Sequence, residues 1–162
     1  MHELNPANLN VYVVDDDEGV RRSVVTLLAM RGHRVQAFAS GEAFLAGAEV
    51  DRGGCVILDR LMDGMSGLDV FHQLRQRRSP LVVLFLSGHG DIPAAWDAAQ
   101  NGAFLWLPKP CDEGLLLNTI SAALDKAVEV TALHHARRSA STLWETLTTR
   151  EGEVARLVAQ GL

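Results

Sequence analysis

Long apolar runs and cysteines are both scarce in this sequence of 162 residues. No segment reaches the roughly 18 unbroken apolar residues that a membrane-spanning helix needs. The start, Met-His-Glu-Leu-Asn-Pro, has neither the basic nor the apolar region of a signal peptide. The two cysteines, Cys55 and Cys111, are too few for a disulfide framework and favour reduced thiols. We therefore expect a cytoplasmic protein that makes no contact with a membrane.

Basic charge is scarce as well. The chain has 15 Lys and Arg against 20 Asp and Glu, which gives a net charge of −5. Residues 1–125 sum to −6 and residues 126–162 to +1. Neither part has the strongly basic surface that nucleic-acid binding requires, because Lys and Arg supply most of the affinity for phosphates. We expect that residues 1–162 do not bind DNA specifically.

Several motifs of common enzyme classes are missing. The sequence has no Gly-rich phosphate loop and no G-x-S-x-G nucleophile motif. Its six histidines do not follow the spacing of metal ligands. These absences argue against a P-loop nucleotide-binding protein, a serine hydrolase and a histidine-based metal site.

Strand and helix patterns alternate five times along the chain. Cys55–Leu58 has no polar residue, which is typical of a strand buried on both faces of a parallel sheet. Between the first two strands, apolar residues at helical spacing predict a helix over 17–31. The alternation predicts an α/β fold with a doubly wound sheet of five strands. The strands are predicted at 9–14, 33–38, 55–59, 81–86 and 103–107.

The C-terminal part is predicted to be helical in two pieces. After Pro110, an apolar stripe continues without a helix breaker to about Ser139, so the helix is expected to exceed ~25 residues, or ~40 Å. Residues 139–142 are the expected joint. Thr148 and Glu151 then fit the N-cap and N3 positions of a capping box that starts a second, short helix.

Polar residues of a particular kind stand at the ends of the apolar runs. The carboxyl ends of parallel strands meet in a crevice where ligands bind, so these side chains are expected to lie together. Three carboxylates, a hydroxyl and an ammonium suit a magnesium ion and a phosphoryl group. The residues are Asp15, Asp16, Asp59, Ser87 and Lys109.

The acidic residues each have a simpler interpretation. A single Asp before a helix is often an N-cap, and Asp17 is assigned that role here. The run of three acids exceeds what capping needs, and a divalent cation would offset their mutual repulsion. Asp59 alone could be an ordinary turn residue. Beside the acid pair it becomes a candidate nucleophile, since a carboxylate can accept a phosphoryl group as an acyl phosphate.

Ser87 and Lys109 complete the candidate site. Ser87 is either a turn former at the end of its strand or a hydroxyl that donates to a phosphoryl oxygen. Lys109 lies between Pro108 and Pro110, and the two prolines restrict the backbone on both sides of the lysine. A lysine held in this way can direct one ammonium group at a phosphate.

The residues above resemble the receiver domain of two-component response regulators over about 9–125. The run Ser87–Ile92 resembles the FixJ/NarL type in particular, and residues from 147 onward resemble the opening of a LuxR-type helix-turn-helix domain. The matching stretches are Val13–Asp17, Leu58–Asp59, Met65–Leu68, Ser87–Ile92, Gly102–Ala103, Lys109–Pro110 and Leu147–Leu162.

The resemblance implies a fold and a division into domains. The fold is flavodoxin-like, a five-stranded parallel sheet of order 2-1-3-4-5, with an extended C-terminal helix and a helical fragment. Residues 1–125 are the expected receiver domain and 126–146 a helical linker. Residues 147–162 are the expected first part of a LuxR-type domain, whose recognition helix lies beyond Leu162.

The resemblance also implies a role for each site residue. Asp59 is the implied phosphoacceptor. Asp15 and Asp16 hold Mg²⁺ together with Asp59, and the Leu61 backbone carbonyl is a further ligand.

Three residues beyond the metal site complete the implied set. Ser87 and Lys109 contact the phosphoryl group, and Ser87 forms the switch with Trp106, where the family usually has Phe or Tyr. Further departures from the family pattern are Ser rather than Thr at position 87, Asp63 in place of Pro, and Cys111 in place of an aromatic residue.

The implied function is a phosphorylation-dependent regulator of transcription in a two-component system. A sensor histidine kinase would donate the phosphoryl group, and the phosphorylated protein would form a homodimer. DNA would be bound only through the part of the C-terminal domain that follows Leu162. The chain would not be an enzyme beyond Mg²⁺-dependent autophosphorylation and autodephosphorylation.

Two alternative functions fit the same residues. The first is a receiver that acts only by protein contact, as a phosphate sink or an adaptor. The second is an Asp-based phosphatase for small substrates, which is weakly supported because Leu61 stands where such enzymes need a second catalytic Asp.

Overall fold

A computed structural model describes residues 4–88 and 92–159 of the protein. Five parallel strands form one sheet in the order β2-β1-β3-β4-β5, which confirms the predicted doubly wound fold. The strands are Asn10–Val14 (β1), Arg34–Phe38 (β2), Gly54–Asp59 (β3), Val82–Ser87 (β4) and Leu105–Pro108 (β5). The helices are Glu18–Met30 (α1), Gly41–Gly47 (α2), Gly67–Gln76 (α3), Ile92–Gln100 (α4) and Glu113–Ala159 (α5), and a short 3-10 helix covers Pro6–Asn8.

The central strands are buried because both faces of the sheet are covered. Every residue of β3 and β4 is buried, as their unbroken apolar sequences predict, whereas β2 and β5 at the edges are partly exposed. Alternate residues face opposite sides, so two apolar clusters form. One contains Val13 and Ile57 with Ile120 of α5, and the other contains Tyr12 and Phe85.

The strand register determines which polar residues meet. Val14 lies opposite Leu58, so the residues that follow, Asp15 and Asp59, emerge side by side at the carboxyl edge of the sheet. Ser87 lies opposite Pro108, which brings Lys109 to the same edge. Parallel pairing therefore gathers residues that are far apart in sequence.

Side-chain caps define where the helices begin. Asp17 is the N-cap of α1 and accepts a hydrogen bond from the Val20 N–H at 3.1 Å, which confirms its predicted role. Ser40 caps α2 in the same way. A capping box of Ser66 and Asp69 starts α3, directly after the loop that follows β3.

The prediction of two C-terminal helices was wrong. The α5 helix runs unbroken from Glu113 to Ala159, without a joint at 139–142. Thr148 is an interior residue whose hydroxyl donates to the Trp144 carbonyl at 3.0 Å, so it is not an N-cap. No Gly or Pro occurs between Leu115 and Glu151, and Thr hydroxyls can bond to the helix carbonyls four residues earlier.

The chain divides into two compact units between Thr131 and Ala132. The first contains the sheet and both apolar clusters. In the second, the residues from 132 to 154 are exposed except for half-buried His134. None of the helices within the described ranges has the length and hydropathy needed to cross a bilayer.

Candidate functional site

Three carboxylates lie together at the carboxyl edge of the sheet. Asp15 follows β1, Asp16 comes next, and Asp59 ends β3; one oxygen from each lies within 4.8 Å of the others. Asp15 and Asp59 are only 3% and 7% exposed, while Asp16 is exposed. The edge therefore has two buried carboxylates and one that reaches solvent.

The Lys109 ammonium group connects the two buried carboxylates. Its Nζ lies 2.6 Å from Asp15 Oδ2 and 3.3 Å from Asp59 Oδ1. The backbone N–H of Lys109 donates to the Ser87 carbonyl at 2.8 Å, which continues the pairing of β4 and β5 past the strand end. The Lys109–Pro110 peptide bond is cis. The lysine is thus held by its backbone and by its side chain.

The electrostatic environment keeps the lysine charged and makes ionisation of Asp59 costly. Burial and the neighbouring Asp15 charge raise the pKa of Asp59, although Lys109 acts in the opposite direction. Burial alone would lower the pKa of Lys109, but its hydrogen bond to Asp15 and the two carboxylate charges outweigh this and raise it. The single positive charge of Lys109 therefore offsets only part of the negative charge of Asp15, Asp16 and Asp59.

Backbone groups and one arginine hold the acidic residues in place. Asp15 Oδ1 accepts the Asp17 N–H at 2.9 Å, and the Asp15 carbonyl accepts the Arg21 guanidinium at 2.7 Å. Asp16 Oδ2 accepts the Asp63 N–H at 3.2 Å. Sequence reasoning missed both Arg21 and Asp63. The place of Arg21, one turn into α1, is a sequence signal for its contact with Asp15. No sequence signal exists for a backbone N–H that a loop contributes, such as that of Asp63.

The loop after β3 is fixed at both ends. Glu42 of α2 accepts the Met65 N–H at 2.8 Å, and backbone hydrogen bonds of this kind lower the pKa of Glu42. The Gly67 N–H donates to the Arg60 carbonyl at 2.9 Å. A Cβ at Gly67 would collide with the Asp59 carbonyl, so only glycine permits this close approach. The residues that follow Asp59 therefore have a defined path.

Ser87 and Trp106 lie on the neighbouring strands β4 and β5. Ser87 ends β4 and is 3% exposed. Trp106 pairs with Phe85 in the register of β4 and β5, and their rings stack with centroids 4.8 Å apart. The indole N–H is buried without a hydrogen-bond acceptor in the described ranges. Trp106 therefore belongs to the apolar cluster on one face of the sheet.

Leu61 and the Ser87–Ile92 motif are the remaining predicted features of the site. Leu61 lies in the loop after β3 with its side chain 58% exposed, and the role of its carbonyl stays a prediction. The His89-Gly90-Asp91 part of the Ser87–Ile92 motif lies outside the described residues, as do Gln160–Leu162.

Both cysteines are free thiols, as predicted, and burial raises the pKa of Cys55 to about 12.

The donor chemistry of the acid cluster fits magnesium. Mg²⁺ takes oxygen ligands and is commonly bound through one or two carboxylates plus water and phosphate oxygens. Asp15, Asp16 and Asp59 supply carboxylate oxygens close enough to share one ion, and the cluster contains neither His nor Cys. An exposed Asp16 leaves one side accessible to water and to a phosphoryl donor.

Known proteins match this chain along most of its length. The family model described as the response regulator receiver domain matches residues 11–121. The transcriptional regulatory protein FixJ of Azorhizobium caulinodans is 36% identical over 158 residues, which cover 97% of this chain and 74% of that protein. The tetrathionate response regulatory protein TtrR of Salmonella typhimurium is 37% identical, with 93% and 71% covered.

Solved structures agree in fold. The response regulator StyR has a TM-score of 0.77 at 35% identity, and the match covers 94% of this chain and 77% of that one. Full-length FixJ from B. japonicum has a TM-score of 0.68 at 34% identity, with 74% and 59% covered. These matches confirm the resemblance inferred from the sequence motifs. The chain belongs to the response regulator family, and residues 11–121 are its receiver domain.

Proposed function

We propose that this receiver accepts a phosphoryl group on Asp59 from the phosphohistidine of a sensor histidine kinase. The observation that carries the proposal is the Lys109 ammonium between Asp15 and Asp59, at 2.6 and 3.3 Å. A buried carboxylate beside a fixed cation, with two further acids that could hold a magnesium ion, is suited to accepting a phosphoryl group. An ordinary turn Asp would need none of these neighbours.

The transfer is a substitution at phosphorus. An Asp59 carboxylate oxygen attacks the phosphorus, the P–N bond to the kinase imidazole breaks, and its electron pair leaves with the imidazole, which takes a proton from solvent. The product is an acyl phosphate on Asp59. Asp59 must be ionised to attack, and the Lys109 charge favours that form against the effects of burial and Asp15.

Magnesium would be held by Asp15, Asp16 and Asp59, with the Leu61 carbonyl as a further ligand. When bound, the ion would neutralise charge between the carboxylates and the incoming phosphoryl group. The residues of this chain then have separate roles. Asp15 and Lys109 fix each other, and Asp59 stays largely shielded from solvent at 7% exposure.

Phosphorylation would act through Ser87 and Trp106. It adds about −1.5 to −2 charges at Asp59, and the Ser87 hydroxyl and the Lys109 ammonium would contact the new oxygens. Since β4 carries both Ser87 and the Phe85 ring that stacks on Trp106, a shift of Ser87 would favour a second packing of the indole. The altered surface would favour a second copy of the chain.

The α4 and β5 region supports the dimer proposal. Trp96 on α4 is 67% exposed, and Leu105 on β5 is 43% exposed. A protein contact on α4 and β5 would cover these two apolar side chains. A homodimer formed on phosphorylation would bury them.

Control of transcription is proposed from the relatives. The FixJ protein of A. caulinodans is named a transcriptional regulatory protein, and this chain covers 74% of its length. We assign residues 1–125 to the receiver, 126–146 to a helical linker and 147–162 to the first part of a LuxR-type domain. Residues 1–162 should not bind DNA specifically, because base contacts come from a recognition helix. The proposed location is the cytoplasm.

The proposal is tested by phosphorylation with acetyl phosphate and Mg²⁺, followed by intact mass. We expect one added phosphoryl group in the unmodified chain and none in Asp59→Asn. Asp51→Asn, a change at an exposed Asp, is the control and should be labelled normally. Equal labelling of Asp59→Asn and the unmodified chain would contradict the assignment.

A further inference from the structure

Asp16 differs from the other two acids in how it is held. Asp15 and Asp59 are buried and paired with the Lys109 ammonium. Asp16 is exposed, and its Oδ2 accepts the backbone N–H of Asp63 at 3.2 Å. The exposed acid thus accepts a neutral backbone donor, whereas both buried acids contact the Lys109 cation and Asp15 also accepts the Asp17 N–H.

Without a tether, Asp16 would tend to leave the cluster. One carboxylate oxygen of Asp16 lies within 4.8 Å of an oxygen of Asp15 and of an oxygen of Asp59, and like charges at that distance repel each other. An exposed Asp side chain can rotate towards water at little cost, and like charges favour that rotation. The hydrogen bond from the Asp63 N–H opposes this rotation. The bond is made to Oδ2 of Asp16, so Oδ1 is not involved in it.

The Asp63 N–H is itself presented by a fixed loop. Met65 is bound to Glu42 at 2.8 Å, and Gly67 is bound to the Arg60 carbonyl at 2.9 Å. These two hydrogen bonds bracket Asp63 and do not involve the acid cluster. The loop that presents the donor is therefore held by hydrogen bonds other than the one to Asp16.

We propose that the Asp63 backbone N–H is a positioning group for Asp16, which it holds in place to bind a divalent cation with Asp15 and Asp59. The inference rests on the proposed function in taking Mg²⁺ as the ligand of the three carboxylates. It adds a residue whose contribution is its backbone rather than its side chain. The Asp63 carboxylate is not required for this role.

Two substitutions separate the N–H from the carboxylate. Asp63→Ala removes the charge and keeps the N–H, whereas Asp63→Pro removes both. Mg²⁺ affinity is measured by isothermal titration without a phosphodonor. We expect Asp63→Pro to bind Mg²⁺ about three- to tenfold more weakly than Asp63→Ala, the usual net effect of one hydrogen bond. Equal affinities for the two variants would overturn the proposal.

A second measurement avoids the risk that proline disturbs the loop. In the amide NMR spectrum of the metal-free protein, Asp16→Ala should move the Asp63 amide proton upfield, because its acceptor is lost. The Asp17 amide, which is bonded to Asp15 Oδ1, should stay nearly unchanged. An unchanged Asp63 amide would overturn the proposal even if Asp63→Pro failed to fold.

The two experiments also distinguish this inference from the proposed function. An unmodified chain that binds no Mg²⁺ would contradict both. Normal Mg²⁺ binding and Asp59 phosphorylation, together with equal affinities for the Pro and Ala variants, would contradict the positioning role alone.

Discussion

Chemically similar side chains have different environments in the sheet region and on the exposed surface of α5. Ile120 of α5 is fully buried under the sheet, whereas Leu143 of the same helix is 61% exposed. Lys109 bridges two buried carboxylates, whereas Lys126 makes an exposed pair with Glu129 at 3.5 Å. The difference shows that the contribution of a residue to stability depends on its burial and its partners more than on its residue type.

The contrast follows from what each region has to pack against. Residues 113–131 belong to the compact unit that contains the sheet, and their apolar stripe is buried there. The residues of 132–154 are exposed apart from half-buried His134. Since most helical stability in proteins comes from packing an apolar face, the later stretch has little beyond its own hydrogen bonds. Paired substitutions can test this comparison.

The largest expected effect is on packing. Ile120→Ala should lower the free energy of unfolding by about 2–5 kcal/mol, because it leaves a cavity in the core. Leu143→Ala should change it by less than about 0.5 kcal/mol, as is usual for surface positions. Urea denaturation followed by circular dichroism measures both. Similar losses for the two variants would show that Leu143 has a buried environment.

The second-largest expected effect is the loss of stability on removing the positive charge of Lys109. Lys109→Met leaves two buried carboxylates without their cation and should destabilise the protein by about 3 kcal/mol. Lys126→Met removes an exposed pair worth no more than about 1 kcal/mol. Added Mg²⁺ should restore part of the loss in Lys109→Met, since the ion would supply positive charge to the same carboxylates. A loss that Mg²⁺ does not reduce would contradict a shared cation site.

The smallest expected effect is a gain in stability. Because the pKa of Asp59 is raised in the folded state, the native protein binds a proton more tightly than the unfolded chain, and ionised Asp59 destabilises the fold above that pKa. Asp59→Asn should therefore raise the unfolding midpoint at pH 7 by about 2–4 °C. The gain should shrink as the pH falls through the raised pKa and the native carboxyl is protonated.

The matched control for this prediction is Asp125→Asn, a change at an exposed residue of α5. Calorimetry of both variants without Mg²⁺ should show no comparable rise for Asp125→Asn. A lower midpoint for Asp59→Asn at pH 7 would mean that the Lys109 contact outweighs the effects of burial and Asp15.

Much of the fold was predictable because buried parallel strands have unbroken apolar sequences. All five predicted strands are present, with ends that differ by one or two residues. The strand order came only from the family resemblance, since no local pattern encodes which strands are neighbours. The predicted joint at 139–142 failed because Ser and Thr there are compatible with a continuous helix.

The candidate site was predictable where it depends on residue type. Asp15, Asp59 and Lys109 meet at the sheet edge because each lies at the end of a strand or directly after it. The Asp63 N–H was not predictable, because it is a backbone group that the folded loop places beside Asp16. The Arg21 contact to the Asp15 carbonyl is local, and its place one turn into α1 was a signal that the sequence analysis did not use.

The central claim is that Asp59, and neither Asp15 nor Asp16, becomes the acyl phosphate. Borohydride reduces an acyl phosphate on Asp to the homoserine side chain, and tryptic peptide mass spectrometry then locates it. Tryptic cleavage separates Asp59, the sole acid of peptide 53–60, from Asp15 and Asp16 in peptide 1–21. After treatment with acetyl phosphate and Mg²⁺, we predict the reduced side chain in 53–60 alone. Reduction in peptide 1–21, or in neither peptide despite a phosphorylated intact mass, would contradict the assignment.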